Sequence, residues 1–293
     1  MTSSITSLTP ESAWRDLLRQ AINQLLRNPL VVTGVVVIAF WLLITLIAPL
    51  VAPRNPLAQN VALRLQAPNA EYAFGTDELG RDVFSRVLYG ARITIPAGIA
   101  VVVIGSIVGT IVGGAAGYLG GAWDEALMRI TELFMAFPTI ILALAITAAL
   151  GADIRNAIVA LVLVWWPQYA RLVRGLVLEV KTQEYVSAVK SIGAGGVYTL
   201  FRTIIPNCIA PAIILATLDI GTAILTFAGL SFLGLGPEPS SPEWGRMVSI
   251  GIDFFSQWWM WLFPGFAIAS LVLAFNFLGD GLRDLLDPRM RKQ

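Results

Sequence analysis

Histidine is absent from this 293-residue chain, and cysteine occurs once, at Cys208. The first absence excludes His-based metal sites, catalytic triads and imidazole proton relays. The second excludes an intramolecular disulfide and every CxxC metal or redox motif. A lone Cys208 reads as a small residue packed near the start of a helix. No GxxxxGK[ST] string occurs, so the chain carries no Walker A phosphate loop; if ATP drives this protein, another subunit binds it. Charge is scarce as well: 13% of residues are charged, against about 25% in a typical soluble domain. The net charge of +1 argues neither way on nucleic acid, and no such partner is expected.

Apolar residues fill the space: 56% of the chain is hydrophobic and the mean hydropathy is +0.73. They lie in long uncharged runs, and about 20 apolar helical residues cross a hydrocarbon core. The runs are Arg27 to Arg54, Arg92 to Asp124, Leu133 to Ala152 (interrupted by Pro138), Asn156 to Ala170 (with Pro167), Cys208 to Gly236, and Asp253 to Asp280. Backbone groups cannot go unsatisfied in lipid, so each run is a helix. The expected fold is an all-α integral membrane protein with six transmembrane helices. In the second run Gly105, Gly109, Gly113 and Gly117 recur every fourth residue, a face that admits another helix closely.

Lysine and arginine set the orientation. With the N-terminus in the cytoplasm, thirteen of the 20 fall inside, including all three lysines, and seven outside. Both termini are then cytoplasmic. The chain divides into a cytoplasmic amphipathic N-terminal helix (1–28), the first span with an extracytoplasmic loop (29–92), a five-helix core (93–280) holding a cytoplasmic loop at 184–207, and a cytoplasmic tail (281–293). Thr9 and Pro10 open the N-terminal helix as cap and first residue.

Outside the spans, Thr76 can cap a helix carrying Val83, Phe84, Val87, Leu88 and Ala91. Asp77, Glu78 and Asp82 lack the spacing of a calcium loop and read as first-turn acids favouring the helix dipole. No metal site and no catalytic residue is expected. Trp244, in PEWG, suits an interfacial anchor or a segment covering the outer mouth.

The segment EYVSAVKSIGAGGVYTLFRTIIPN (184–207) is different in kind. Tyr185 to Ile192 reads as a short helix with Tyr185, Val186, Ala188, Val189 and Ile192 in apolar contact. Gly193 to Gly196 permits a sharp turn. A second helix starts near Val197, and Pro206 breaks it before the fifth span. Two helices and a tight turn make a rigid protrusion.

Ser187-Ala188-Val189, Gly193 four residues on, and Ile205-Pro206 ending thirteen residues later resemble the EAA loop of ABC importer permeases. FGTDELGRDVFSR (74–86), LSFLGLGPEPSSPEWGRM (230–247) and AFNFLGDGLRDLLDPR (274–289) are similar to the dipeptide/oligopeptide/nickel group of these permeases. The resemblance covers roughly residues 10 to 290 and implies a type I ABC importer permease fold. It implies an ATPase-coupling loop containing Glu184, Tyr185, Ser187, Ala188, Val189, Gly193, Ala194 and Pro206. It also implies a second homologous permease, two ATPase subunits that bind ATP and Mg, an extracytoplasmic substrate-binding protein, and a place in a bacterial inner membrane. This chain is then no enzyme and binds no cofactor of its own. Di- or oligopeptides are the expected substrates, with a nickel chelate or another small solute as the alternative.

Asp219 stands mid-span, where an acid costs about 2.5–3.5 kcal/mol on insertion scales and so faces protein or water. It either touches a substrate amine or a gate, on the translocation path, or is a hydrogen-bonded bundle residue. An ion-coupled secondary transporter using Asp219 is the rival function, and it leaves the 184–207 hairpin unexplained.

Overall fold

The computed structural model describes residues 28–286, and they are helical apart from loops, one 3-10 turn and a single Thr76–Asp82 bridge. The expected N-terminal amphipathic helix and the tail beyond residue 286 lie outside the described residues. Helix α1 (Pro29–Val51) opens with Asn28, whose side chain accepts from the Leu30 N–H, and with proline at its first position. It buries one stripe, Val31, Gly34, Ile38, Trp41, Ile44 and Ala48, and leaves Leu46 and Leu50 exposed. A helix apolar on all sides that buries only one of them is a lipid-facing helix.

Helix α2 (Val83–Leu119) is 37 residues long. Its cap is Asp82, not Thr76: the Asp82 carboxylate accepts from the Ser85 N–H and hydroxyl, while the Thr76 hydroxyl donates to the Leu63 carbonyl in the preceding loop. The soluble-looking helix and the second span are therefore one rod, and residue 92 falls inside it. The glycine face meets helix α5 (Ile154–Val180). A Cβ at Gly109 would stand 2.4 Å from the Tyr169 Cβ, and one at Gly113 would stand 2.2 Å from the Ala170 carbonyl oxygen. The close approach forecast from the four-residue spacing is what joins these two helices.

The third run is bent. Helix α3 (Gly121–Met135) and helix α4 (Thr139–Leu150) meet at 89° around Pro138. Neither is long enough to span alone, so six expected spans become five continuous helices and one bent pair. Helix α3 is held across α5 by contacts near its two ends, Asp124 with Arg174 and Met135 with Arg171. These arginines lie within α5, which runs ten residues past the end expected for the fourth span.

Helix α6 (Glu184–Ser191) precedes helix α7 (Gly196–Phe232), which includes the fifth span. Pro206 does not break α7. A π-helical turn over Thr199–Ile204 widens the coil immediately before it, and the Ile205 N–H reaches the Leu200 carbonyl. The extra residue in that turn makes room for a ring that would clash in a regular α-helix. Helix α8 (Trp244–Asp253) and helix α9 (Trp259–Leu286) complete the described chain. One end of the bundle carries the 52–82 loop and α8, hereafter the loop end, and the other carries the α6 hairpin. Trp259 pins the loop by donating to the Thr76 carbonyl at 3.0 Å, its ring lying where a Cβ on Gly75 would fall.

Candidate functional site

At the hairpin end, α6 is closed by two nested backbone bonds. The Gly193 N–H donates to the Lys190 carbonyl at 3.0 Å and the Ala194 N–H to the Val189 carbonyl at 3.3 Å. Gly193 has φ +88°, a conformation L side chains rarely adopt, so glycine is required to end α6 this way. Val186 is the anchor: it is fully buried in a cluster with Val173, Val177, Leu200, Ile204, Ile205 and Cys208. Two further ties fix the hairpin to the end of α2. Lys181 Nζ donates to the Gly117 carbonyl at 2.7 Å, and the Lys190 ammonium sits 5.3 Å from the centre of the Tyr118 ring. The protrusion is rigid by construction.

Its outer surface carries several large apolar side chains among polar ones. Ile192 is 85% exposed and Val197 76%, with Tyr185, Tyr198 and Phe201 about half exposed. Of the residues expected to supply apolar contact, Val186 is buried and Val189 half-buried, while Tyr185, Ala188 and Ile192 face outward. Glu184 and Ser187 are exposed beside them, and Ala194 is half-buried in the turn. Pro206 lies along α7 away from the turn, and Asp219 is remote from the hairpin altogether, roughly 20 Å farther along α7 at 1.5 Å per residue.

Asp219 has its own surroundings. Its Oδ2 accepts from Gln168 Nε2 at 2.5 Å and from the Tyr169 hydroxyl at 2.7 Å, both on α5. Sequence reasoning missed these two partners, although an amide within an otherwise apolar run, Gln168, was a usable signal.

At the loop end Asp82 meets the start of α2 as its cap, but the other two acids are not helix-dipole partners. Asp77 and Glu78 precede α2 and form a buried ionic knot: Arg81 Nε to Asp77 Oδ2 at 2.6 Å, Arg81 Nη2 to Glu78 Oε1 at 2.6 Å, and Arg86 Nε to Asp77 Oδ2 at 3.4 Å. Burial, with the neighbouring Asp77 charge, raises the Glu78 carboxyl above its ordinary range. Arg86 also donates to the carbonyls of Pro56, Ser240 and Ser241, so one guanidinium ties the 52–82 loop to the segment before α8. Among the described residues no group of three His, Cys, Asp or Glu side chains is placed to hold a metal ion. Asp77→Ala takes a carboxylate from two buried guanidinium groups, leaving Arg81 with Glu78 alone and Arg86 with backbone carbonyls; breaking a buried pair from one side costs about 3–5 kcal/mol. Thermal unfolding in detergent is expected to show the loss, with Asp77→Asn intermediate.

Trp244 is not an interfacial anchor. It is fully buried, and its Nε1 donates to the Val87 carbonyl at 2.9 Å. Its ring fills the space left by Gly90, where a Cβ would meet it at 2.4 Å. Glu243 caps α8, accepting from the Gly245 and Arg246 N–H groups and from the Thr94 hydroxyl. Complete burial raises its carboxyl above the ordinary range. Helix α8 is thus clamped over the loop end from both α2 and its own cap.

Residues 102–292 match the family of binding-protein-dependent transport system inner membrane components, and residues 12–68 match the N-terminal transmembrane domain of oligopeptide transport permease C. The chain belongs to this binding-protein-dependent permease family. It is 44% identical to the dipeptide transport system permease protein of Alkalihalophilus pseudofirmus, over 97% of this chain and 92% of that protein. A probable D,D-dipeptide transport system permease protein of Escherichia coli is 44% identical over 89% and 88% of the two chains. The di/tripeptide transport system permease protein of Pseudomonas aeruginosa is 41% identical over 86% of each. This permease is a multi-pass inner membrane protein of the type I importer fold. It is a transport subunit, not an enzyme.

Proposed function

We propose that this permease imports di- and oligopeptides as one half of a transmembrane pathway completed by a second, homologous permease. Two ATPase subunits bind ATP and Mg on the cytoplasmic side, and a binding protein outside delivers the substrate. The hairpin end is the cytoplasmic end, as the excess of Lys and Arg there favours. The loop end, with α8 clamped over it, receives the binding protein. Residues 29–92 then hold the first span and the external loop, 93–280 the core, and the segments 1–28 and 281–293 lie in the cytoplasm.

The observation that carries this reading is the hairpin: a rigid, anchored protrusion whose exposed surface carries several large apolar side chains. Large exposed apolar side chains on a protrusion beyond the spans support a docking role. Glu184, Tyr185, Ser187, Ala188, Val189, Gly193 and Ala194 form or shape it, and Pro206, placed after the π-turn, sets how it joins the span. Small Ala188, outward-facing, lets a partner surface come close. ATP-driven closure of the ATPases shifts the bundle only if its two states contact them differently. Reversing a 1:99 ratio takes about 5.5 kcal/mol, within reach of two such hairpins, one per permease.

Mild solubilisation from the native membrane followed by intact-complex mass analysis is the direct test. The expected particle holds one copy of this chain, one different permease and two ATPase subunits, and takes up radiolabelled Ala-Ala in proteoliposomes when ATP and binding protein are supplied. A lone chain or homodimer that still transports overturns the reading.

A further inference from the structure

Where α1 ends against α2, at the loop end, lies an open cavity of about 710 Å³. Pro49 and Ala52 of the α1 end, Arg54 in the loop, Tyr89 and Arg92 on α2, and Pro242 ahead of α8 line it. Its lining includes two arginines and no Asp or Glu. Arg54 is held in place. Its Nη1 donates to the Glu71 carbonyl at 2.8 Å and its Nη2 to Glu71 Oε1 at 3.2 Å, with the guanidinium 4.1 Å from the centre of the Tyr72 ring. The Glu71 side chain is 69% exposed, so water screens much of the charge it offers. Arg92 is exposed, and among the described residues it forms no ion pair. The cavity therefore carries positive charge that nothing in its own wall answers.

Depth narrows what can answer it. Arg92 stands roughly 27 residues from the hairpin end of α2, about 40 Å at 1.5 Å per residue. A hydrocarbon core is about 30 Å thick, which puts Arg92 past it, in the headgroup layer. Below the cavity the surface turns apolar. Pro96, Val103 and Ile107 follow Arg92 at i+4, i+11 and i+15 on one face of α2, and all three are exposed. On α1, Leu46 and Leu50 are exposed as well.

A free anion would meet the guanidiniums and leave this apolar face unused, and a zwitterionic lipid would bring a cation of its own. An anionic amphiphile answers both features. We infer that the cavity binds the headgroup phosphate of an acidic phospholipid, with Arg92 and Arg54 as its counter-ions and an acyl chain lying along the exposed face of α2. An acidic patch on a soluble partner would suit the arginines but has no use for Pro96 or Val103.

The test uses the complex in which this chain is purified from its native membrane. It is delipidated, reconstituted in nanodiscs of phosphatidylcholine with a minority of phosphatidylglycerol, and released into detergent for intact-mass counting of retained lipid. The wild type is expected to retain phosphatidylglycerol in preference to phosphatidylcholine. Arg92→Gln is expected to assemble normally and to lose about fivefold or more of that preference, the contribution of one basic residue at an anionic lipid surface. Arg92→Lys, which keeps the charge, is expected to keep most of it. No preference in the wild type, or equal preference in wild type and R92Q, overturns the site; if R92Q instead weakens capture of the binding protein, the cavity belongs to that partner. Failure of both Arg92 variants to assemble also overturns it and makes Arg92 a structural residue. Thermal unfolding with inorganic phosphate alone separates the two sources of phosphate. No stabilisation is expected, and stabilisation that R92Q abolishes assigns the cavity to a free anion and overturns the lipid.

Discussion

Ile192→Glu is expected to leave the bundle folded and to stop transport. Ile192 is 85% exposed and belongs to none of the buried clusters, so the isolated chain loses no packing when it is replaced. On the proposed reading, an ATPase covers the same side chain in the assembled importer. Burying an isoleucine there contributes about 1.5–3 kcal/mol, and forcing a carboxylate into that contact adds a desolvation cost of similar or greater size. A loss of about 3 kcal/mol is more than a hundredfold in affinity. Purified I192E is expected to unfold at the wild-type temperature in detergent, to elute without ATPase subunits, and to support under a tenth of wild-type uptake. Normal co-elution with normal uptake would sink the docking role of the hairpin. Val186→Glu makes the contrast: it strikes the buried anchor and is expected to fail in folding as well.

The second large effect lies in the seam between α2 and α5. Gly113→Ala places a Cβ 2.2 Å from the Ala170 carbonyl oxygen and 2.8 Å from its carbon, both of them backbone atoms that cannot rotate away. The helices must separate, and with them the contacts at Gly105, Gly109 and Gly117. Overpacking of a core costs about 1–3 kcal/mol even where side chains can adjust, so an unyielding backbone contact belongs at the upper end or beyond. Folded yield and unfolding temperature of G113A are expected to fall sharply. Gly175→Ala is the control: nothing lies within 4 Å of its Cβ, and removing a mid-helix glycine stabilises by roughly 0.5–1 kcal/mol. Similar behaviour of the two variants would dissociate the glycine spacing from the packing.

What could be read in advance was local. The four-residue glycine spacing names a helix face without needing to know what it meets, and Gly193 signals a left-handed helix end from its place after EYVSAVKSI. Most of the failures turned on partners that only the folded chain brings together. Pro138 showed that the third span is interrupted, but not the 89° bend or that Asp124 ties α3 to Arg174, fifty residues away. Trp244 was read as interfacial because indoles favour that zone; its burial depends on a slot at Gly90 on another helix. Asp77 and Glu78 looked like helix-start acids until Arg81 and Arg86 folded back on them. The hydrogen bonds of Asp219 follow the same rule, since Gln168 becomes meaningful only when α5 lies against α7.

The backbone-to-backbone seam of α2 and α5 has a mechanical meaning. Side chains cushion most helix pairs and let them slide by rotamer changes; here main chain meets main chain over four successive turns, and there is nothing to compress. A displacement of the hairpin, fastened to α2 through Lys181 and Tyr118 and to α5 through the Val186 cluster, travels along a nearly inelastic plank to its far end. If the permease works by alternating access, as an importer of the proposed kind would, the compliance it requires is expected where the rods are interrupted, at the Pro138 bend and the π-turn before Pro206.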